Sequence, residues 1–330
     1  MLNFCTLFDS NYLSRGLALY ESLCKYSNGF HIFIFTFDDI SNKIVKSLEL
    51  KYATVIGLEE FEDNELLAIK PSRSRLEYFW TCTPSIIKFV LDNYNVNSCT
   101  YLDADIYFWD SPDSLIEEMK NSSVLITKHH YTRNLDNSKK SGIYCVQFMT
   151  FRNDKEGRLV LGWWQEACNK WCYDRFEDGK FGDQKYLDDW PQRFRGIHIL
   201  SNLGGGIAPW NIQQYELFRQ GEKLFGKNLD TGEDVKIVFY HFHNLQFYAG
   251  KVDLGGYRIS KEAKSLIYLP YIKHVNKINT RLGIIGEFKK IHEHNKLRDR
   301  DLKMFLKYIK HCLMFNVISL KALEEPIQKY

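Results

Sequence analysis

The sequence of 330 residues lacks three features that define large classes of protein. No basic N-terminal stretch is followed by an apolar core, so we expect no secretory signal peptide. No apolar run is long enough to span a bilayer. The eight cysteines include no Cys-x-x-Cys pair, which argues against a disulfide framework and a cysteine-based zinc site. These absences predict a reduced, cytoplasmic protein.

The composition is that of a globular protein whose charge is unevenly spread. Hydrophobic residues make up 45% of the chain and charged residues 26%, which is enough to bury a core. Residues 273–330 carry thirteen Lys or Arg against six Asp or Glu, whereas the preceding part has a net charge of −4. A slightly acidic body without a continuous basic stripe argues against nucleic-acid binding. The basic end is therefore a separate feature.

Strand and helix patterns alternate along the chain. This alternation predicts an α/β fold with a doubly wound, mostly parallel sheet and flanking helices, in which ligands bind at the carboxyl ends of the strands. Pro84 fits the first turn of a helix capped by Thr83, and the glycines at 204–206 fit a flexible turn. Strands are predicted at 4–8, 31–37, 54–58, 124–127, 142–151 and 236–243, and helices after 12, at 41–50, after 83, after 112 and at 157–171.

Two aspartates interrupt the apolar, aromatic run at 99–110. On a strand, Asp103 and Asp105 would point to the same face. Two carboxylates on one face need a counter-charge or a metal, and their oxygens suit Mg²⁺ or Mn²⁺. His241 and His243 also share a face of a predicted strand, and either imidazole could supply a third ligand.

The end of the chain carries an amphipathic pattern at 302–313, with apolar residues on one face and lysines beside it. A basic amphipathic helix can lie on an anionic membrane surface. It can equally dock its apolar face on the rest of the protein and show its lysines to water. The sequence leaves both alternatives open.

Four segments in order resemble glycosyltransferases of the GT-A fold, most closely the family 8 type that includes glycogenin and bacterial lipooligosaccharide galactosyltransferases. Each segment alone is weakly specific, but the ordered set is far more so. The segments are Thr-Leu-Phe-Asp-Ser-Asn-Tyr at 6–12, Tyr-Leu-Asp-Ala-Asp at 101–105, Gly-Asp-Gln-Lys-Tyr-Leu at 182–187 and His-Phe at 241–242.

The resemblance implies a role for several of these residues. Asp103, Asp105 and His241 match the ligands of a divalent ion, Mn²⁺ or Mg²⁺, and Asp103 also lies near the ribose of the nucleotide. Asp183 and Gln184 match positions that line the donor sugar and are the catalytic candidates. In retaining members of the family the glutamine lies below the anomeric carbon.

The first loop of the family holds the base of the nucleotide. Thr6, Phe8, Asp9 and Asn11 occupy the corresponding stretch, so the resemblance implies that they bind the donor nucleotide.

Two departures from the family pattern bear on the donor. The family usually follows its late histidine with Gly and Lys-Pro-Trp, but residues 241–247 are His-Phe-His-Asn-Leu-Gln-Phe, so the phosphate-binding lysine is missing. Lys251, Arg73 or Arg75 could replace it. The family's asparagine-containing sugar-binding strand is Tyr-Cys-Val-Gln-Phe at 144–148. The donor sugar and the stereochemical outcome therefore stay open.

Together these features predict a metal-dependent glycosyltransferase that moves a sugar from a nucleotide diphosphate donor such as a UDP-sugar. Of the two stereochemical outcomes, Gln184 and the family analogy favour retention. Residues 1–260 would form the catalytic domain, and the basic region 261–330 would contact the acceptor or the inner face of a membrane. The acceptor would be a glycan or glycolipid of bacterial surface polysaccharide or lipooligosaccharide synthesis.

Two other functions remain as alternatives. A sugar nucleotidyltransferase shares the α/β sheet and the metal carboxylates, but it usually carries a glycine-rich basic loop directly after the first strand, and residues 8–12 are Phe-Asp-Ser-Asn-Tyr. A non-catalytic glycan- or membrane-binding module could retain the fold without the chemistry.

Overall fold

The computed structural model describes residues 1–248, 250–283, 310 and 316–320. The helices are α1 Leu13–Tyr26, α2 Asp39–Ser47, α3 Leu58–Phe61, α4 Asn64–Ile69, α5 Arg75–Asn93, α6 Asp113–Glu117, α7 Ser138–Ser141, α8 Lys155–Lys170, α9 Trp190–Arg193, α10 Lys261–Ala263 and α11 Leu269–Gly283. The strands are β1 Leu2–Phe8, β2 Phe30–Thr36, β3 Ala53–Gly57, β4 Ser98–Leu102, β5 Ile106–Phe108, β6 Val124–Lys128, β7 Tyr144–Arg152, β8 Ile197–Ile199, β9 Gly205–Ile207, β10 Tyr215–Gln220, β11 Lys223–Asn228, β12 Asp234–Lys236, β13 Phe239–His241, β14 Gln246–Tyr248, β15 Lys251–Asp253 and β16 Val317–Ser319.

A seven-stranded sheet in the order β3-β2-β1-β4-β7-β6-β8 forms the centre of the fold. The strands β3, β2, β1 and β4 are mutually parallel. Strand β7 runs antiparallel to its neighbours β4 and β6, and β8 is again parallel to β6. The predicted mostly parallel sheet with flanking helices is confirmed.

Helices cover both faces of this sheet, which is why its strands are apolar along nearly their whole length. Phe4 and Phe8 of β1 pack with α1 and α11 on one face. Cys5 and Leu7 pack with α5 and α8 on the other. Because successive side chains of β1 point to opposite faces of the sheet, the strand contributes to two separate apolar layers. Among the residues that the structure describes, none of the helices could cross a membrane.

Helix α5 begins earlier than the sequence predicts. Ser74 and Glu77 form a reciprocal capping box, in which each side chain accepts a hydrogen bond from the other residue's backbone N–H. Pro84 therefore lies inside the helix, and the prediction that it opens a helix capped by Thr83 is wrong. The Thr83 hydroxyl instead donates to the carbonyl of Phe79 at 3.3 Å, one of the local bonds by which threonine fits a helix interior.

The sequence predicts that the two aspartates lie on a strand, but the structure places them outside one. Strand β4 ends at Leu102, and β5 begins at Ile106 in a different sheet, of order β5-β13-β9. Asp103 and Asp105 occupy the turn between them, which is closed by a hydrogen bond from the Ile106 N–H to the Asp103 carbonyl at 3.1 Å. The chain changes sheets here, so the alternation of a single strand does not apply.

The glycines at 204–206 also differ from the prediction. They lead into the buried strand β9, which pairs in parallel with β13. A Cβ atom on Gly205 would lie 2.7 Å from the side chain of Leu115 and 2.8 Å from that of Leu200. Gly204 lies in a turn, closed by a hydrogen bond from the Gly205 N–H to the Asn202 carbonyl at 3.1 Å, whereas Gly205 and Gly206 belong to β9, where glycine permits close packing.

The beginning of the predicted basic region packs on the N-terminal half of the chain. Helix α11 contributes Tyr271, Ile272 and Val275 to the apolar layer that contains α1. The Tyr271 ring stacks on that of Phe242 at a centroid distance of 3.7 Å. The division of the chain at residue 260 stays a prediction, and the helix predicted at 302–313 lies outside the described residues except at 310.

Candidate metal centre

Asp103, Asp105 and His241 converge where two sheets meet. Strand β13 pairs antiparallel with β5 so that His241 lies opposite Ile106, and the Phe242 N–H donates to the Asp105 carbonyl at 2.9 Å. This register places His241 Nε2 3.1 Å from Asp105 Oδ1 and 3.6 Å from Asp103 Oδ2. The pairing of β5 with β13 therefore holds the turn that contains the two aspartates beside the end of β13.

The three side chains fit a divalent ion. One ligand atom from each lies within 4.8 Å of the others. Two ligand atoms each about 2.1 Å from an ion, at a right angle, lie about 3 Å apart. Two carboxylates and one imidazole are also a donor set that suits Mn²⁺. The arrangement could therefore hold Mn²⁺ or Mg²⁺ with little rearrangement.

The protonation of the carboxylates reflects their crowded surroundings. Burial and the neighbouring charge of Asp105 raise the pKa of Asp103, although His241 and the Tyr101 hydroxyl, which donates to Asp103 at 2.8 Å, oppose this. Burial also acts to raise the pKa of Asp105, but the charge and hydrogen bond of His241 hold it below its usual range. The pair thus has negative charge in a confined space that a cation would balance.

His243 lies beyond the end of β13 and outside the group of three possible ligands found among the described residues. Its Nε2 is hydrogen-bonded to the Asn244 side chain at 2.9 Å. The His243 ring meets that of His241 edge-on, with centroids 5.8 Å apart. The structure therefore groups His241, and not His243, with the two aspartates.

The loop after β1 is held by two aspartates and an arginine. Asp9 Oδ1 accepts the Asn11 N–H at 2.8 Å, and Arg75 pairs with Asp9 at 2.5 Å and with Asp38 at 3.3 Å. Asp38 also accepts both the backbone N–H and the hydroxyl of Ser10, at 3.0 and 2.7 Å. Arg75, predicted to bind the donor, therefore orders the first loop, and its side chain is 54% exposed.

The other residues predicted for nucleotide binding differ in their access to solvent. The side chains of Thr6 and Phe8 are buried in the core. A Cβ on Gly16 of α1 would lie 2.2 Å from the Phe8 ring, so the ring packs directly on that helix. Asn11 is exposed beside the loop. Asn11 is therefore accessible to a ligand, whereas the side chains of Thr6 and Phe8 pack in the core below the loop that follows β1.

Asp183 and Gln184 lie on another loop, and Asp183 is close enough to Asp103 to be affected by its charge. The Trp164 indole N–H donates to the Asp183 carbonyl at 2.9 Å, which ties this loop to α8. Asp183 is 5% exposed, and burial together with the charge of Asp103 raises its pKa to about 8. The Asp183 carboxyl is therefore electrostatically coupled to the two-aspartate turn.

The raised pKa of Asp183 predicts a pH-dependent stability. An unfolded aspartate titrates near pH 4, so the proton on folded Asp183 contributes stability that is full below that pH and is lost as the pH rises through about 8. We therefore compare Asp183→Asn, which cannot titrate at this position, with the wild type in EDTA. The Tm of the variant minus that of the wild type should rise by about 2 °C for each pH unit between the unfolded and the folded pKa. Thermal unfolding of both proteins from pH 4 to 9 checks this, and parallel Tm curves would contradict it.

Two residues at the site, Gln147 and Arg15, make contacts that are not predicted from the sequence. Gln147 is fully buried on β7, and its Oε1 lies 2.8 Å from His241 Nδ1. The buried Arg15 guanidinium donates to the carbonyls of Asn11 and Leu245, both at 3.0 Å. The altered strand at 144–148 points to Gln147, but no local sequence pattern indicates its contact with His241.

No protein-family model matches the chain. Two uncharacterized proteins of Bacillus subtilis (strain 168) are similar in sequence. YfnD is 25% identical over 282 residues, which cover 83% of this chain and 89% of YfnD. YfnF is 28% identical over 247 residues, which cover 72% of this chain and 80% of YfnF. The similarity to these two uncharacterized proteins therefore extends over most of this chain.

Solved structures identify the fold. The galactosyltransferase LgtC, crystallised with donor and acceptor sugar analogs, aligns with a TM-score of 0.52 at 9% identity over 84% of this chain and 96% of LgtC. The glycosyltransferase GlyE of Streptococcus pneumoniae TIGR4 aligns at 13% identity and a TM-score of 0.41, over 62% of this chain and 46% of GlyE, which is too distant to support an argument. At the level of the fold, the resemblance to GT-A glycosyltransferases is confirmed.

Proposed function

We propose that this protein is a metal-dependent glycosyltransferase that moves a sugar from a nucleotide diphosphate donor, UDP-linked, to a glycan or glycolipid acceptor. The observation that carries the proposal is the grouping of Asp103, Asp105 and His241 within 4.8 Å on a GT-A fold. Asp183, coupled to Asp103 by charge, brings a second loop to the same place. A metal centre beside a buried acid is well suited to transfer from a diphosphate, because the ion can offset the charge of the leaving group.

In this proposal Asp103, Asp105 and His241 hold Mn²⁺ or Mg²⁺. When bound, the ion neutralises charge on the diphosphate leaving group. The hydroxyl of Tyr101 and the amide of Gln147 hold the ligands Asp103 and His241 in place.

The loop after β1 receives the nucleotide. Asp9 is 3% exposed and fixes the backbone of the loop, so that the exposed Asn11 meets the base. Thr6 and Phe8 shape the floor of this loop from the core side. Arg75 combines two roles: its ion pairs hold the loop, and the solvent-exposed part of its guanidinium meets the donor phosphates.

Asp183 and Gln184 position the donor sugar, and Gln184 supports transfer with retention by analogy with the family. The analogs bound to LgtC are donor and acceptor sugars, which supports the same pair of substrates here. The basic balance of residues 273–330 supports an acceptor at the inner face of a membrane. The reaction then belongs to cytoplasmic synthesis of a bacterial surface polysaccharide or lipooligosaccharide.

A panel of nucleotide sugars tests this function. We expect slow hydrolysis of one donor in the presence of Mn²⁺, release of the nucleoside diphosphate, and loss of that activity in EDTA. Undiminished hydrolysis in EDTA would contradict the metal site. Pyrophosphate release from a nucleoside triphosphate and a sugar phosphate would identify a nucleotidyltransferase instead, and glycan binding without any nucleotide would identify a binding module.

A further inference from the structure

Gln147 touches two of the three metal-ligand candidates. Its backbone carbonyl accepts the Asp103 N–H at 3.0 Å, where β7 continues beside the end of β4. Its side-chain Oε1 lies 2.8 Å from His241 Nδ1. Both Gln147, which has no solvent exposure, and His241, which is 5% exposed, are enclosed by protein. One residue of the central sheet thus joins the aspartate turn to the histidine strand.

The orientation of the Gln147 amide decides which imidazole nitrogen is free for a metal. A carboxamide oxygen can only accept a hydrogen bond, so Nδ1 must carry the proton. Without a metal, Nε2 also carries a proton, which it donates to Asp105 Oδ1 at 3.1 Å. This second proton is the one that a divalent ion would displace, and its loss leaves the Nε2 lone pair for the metal. The opposite amide orientation would place the proton on Nε2, where it would block a metal.

The other half of the amide supports the same role. Gln147 Nε2 is buried without a hydrogen-bond partner among the described residues. It lies beside Gly206, where an added Cβ would come within 3.5 Å of it. Burying an unsatisfied N–H is unfavourable, and an apolar side chain of similar length would avoid this. Among the described residues, the contact with His241 is therefore the one through which the Gln147 side chain acts on the site.

We propose that Gln147 is a positioning residue that fixes the ring orientation and the Nδ1-protonated tautomer of His241 for a divalent ion. The inference rests on the metal site of the proposed function. Outer partners of this kind are usually carboxylates, carbonyls or water. A neutral amide accepts the same hydrogen bond without adding another acid to Asp103, Asp105 and Asp183.

Mn²⁺ binding by the whole protein tests this role. Free Mn²⁺ is measured by electron spin resonance for the wild type, Gln147→Met and Gln147→Glu. We expect Gln147→Met, which removes the acceptor, to weaken binding about 10- to 100-fold. Gln147→Glu keeps an acceptor oxygen and is expected to bind Mn²⁺ at least as tightly as the wild type. Gln147→Leu replaces the methionine variant if that variant does not fold.

A control on the same strand separates positioning from packing. Thr150 is buried on β7, and its hydroxyl pairs with that of Thr100 at 2.8 Å, away from the metal-ligand candidates. Thr150→Val therefore removes a buried hydrogen bond but should leave Mn²⁺ affinity unchanged. In nitrogen-15 spectra of the metal-free protein, the His241 Nδ1 proton should be protected from exchange in the wild type and Gln147→Glu, and exchange faster in Gln147→Met.

Three results would overturn the inference. If a folded Gln147→Met variant binds Mn²⁺ as tightly as the wild type, the inference is wrong and the proposed function is unaffected. Equal weakening in Thr150→Val would assign the effect to the packing of β7. Absence of Mn²⁺ binding by the wild type would overturn both the inference and the proposed metal site.

Discussion

Asp105→Asn is expected to abolish Mn²⁺ binding and to lower donor hydrolysis and sugar transfer by about 10³-fold or more. The change removes a ligand charge but keeps the size of the side chain, and the backbone carbonyl of residue 105 that accepts the Phe242 N–H at 2.9 Å is unaffected. The fold should therefore survive. Mn²⁺ titration, nucleotide release and thermal unfolding of the same preparation measure the three quantities together.

Asp110, five residues further along the chain, offers a matched control in which an acid is also replaced by an amide. Asp110 pairs with Lys236 at 2.6 Å, and the lysine side chain is 40% exposed. Pairs of this kind contribute little to stability, so Asp110→Asn should bind Mn²⁺ and hydrolyse the donor like the wild type. Full hydrolysis by Asp105→Asn would refute the proposed site, as would equal losses in both variants.

Trp164→Ala is expected to cause the largest loss of stability, about 3–5 kcal/mol, which for a chain of 330 residues is a fall in Tm of about 4–7 °C. Trp164 has no solvent exposure. Its ring stacks on Phe151 with centroids 6.0 Å apart and meets Trp190 edge-on at 5.6 Å. Removing it leaves a cavity between α8 and the sheet, which calorimetry or chemical denaturation would detect.

The same tryptophan also reaches the candidate site, because its indole N–H donates to the Asp183 carbonyl at 2.9 Å. Trp164→Phe keeps an aromatic ring but removes this donor. We expect it to lose much less stability than Trp164→Ala, yet to lower the transfer rate because the loop of Asp183 and Gln184 is less firmly held. A Trp164→Ala protein as stable as the wild type would contradict the packing described for α8.

The sequence predicts the sheet well because buried parallel strands and amphipathic helices have distinct periodicities. It also indicates that Asp103, Asp105 and His241 belong together, since the order of the motifs resembles a known family. Their convergence depends on the pairing of β5 with β13, which joins residues more than a hundred positions apart. Pairing of this kind is not encoded in any local pattern.

The predictions that failed did so where tertiary contacts outweigh local preference. Pro84 marks a helix start in isolation, but the capping box at Ser74 begins the helix earlier. Gly205 suggests a flexible segment, but it is buried in β9. Glycine is needed there because Leu115 leaves no room for a side chain. Gln147 stands out in the sequence only as part of an altered strand, and its contact with His241 depends on the fold.

Arg15 has a consequence for how variants of this protein combine. Its buried guanidinium bonds at once to Asn11 in the loop after β1 and to Leu245 in the loop after β13, so the two loops share one anchor. Substitutions with a common partner are seldom additive. The effects of changes in the loop after β1 are therefore expected to depend on the residues present in the loop after β13, and paired substitutions in the two loops should deviate from additivity.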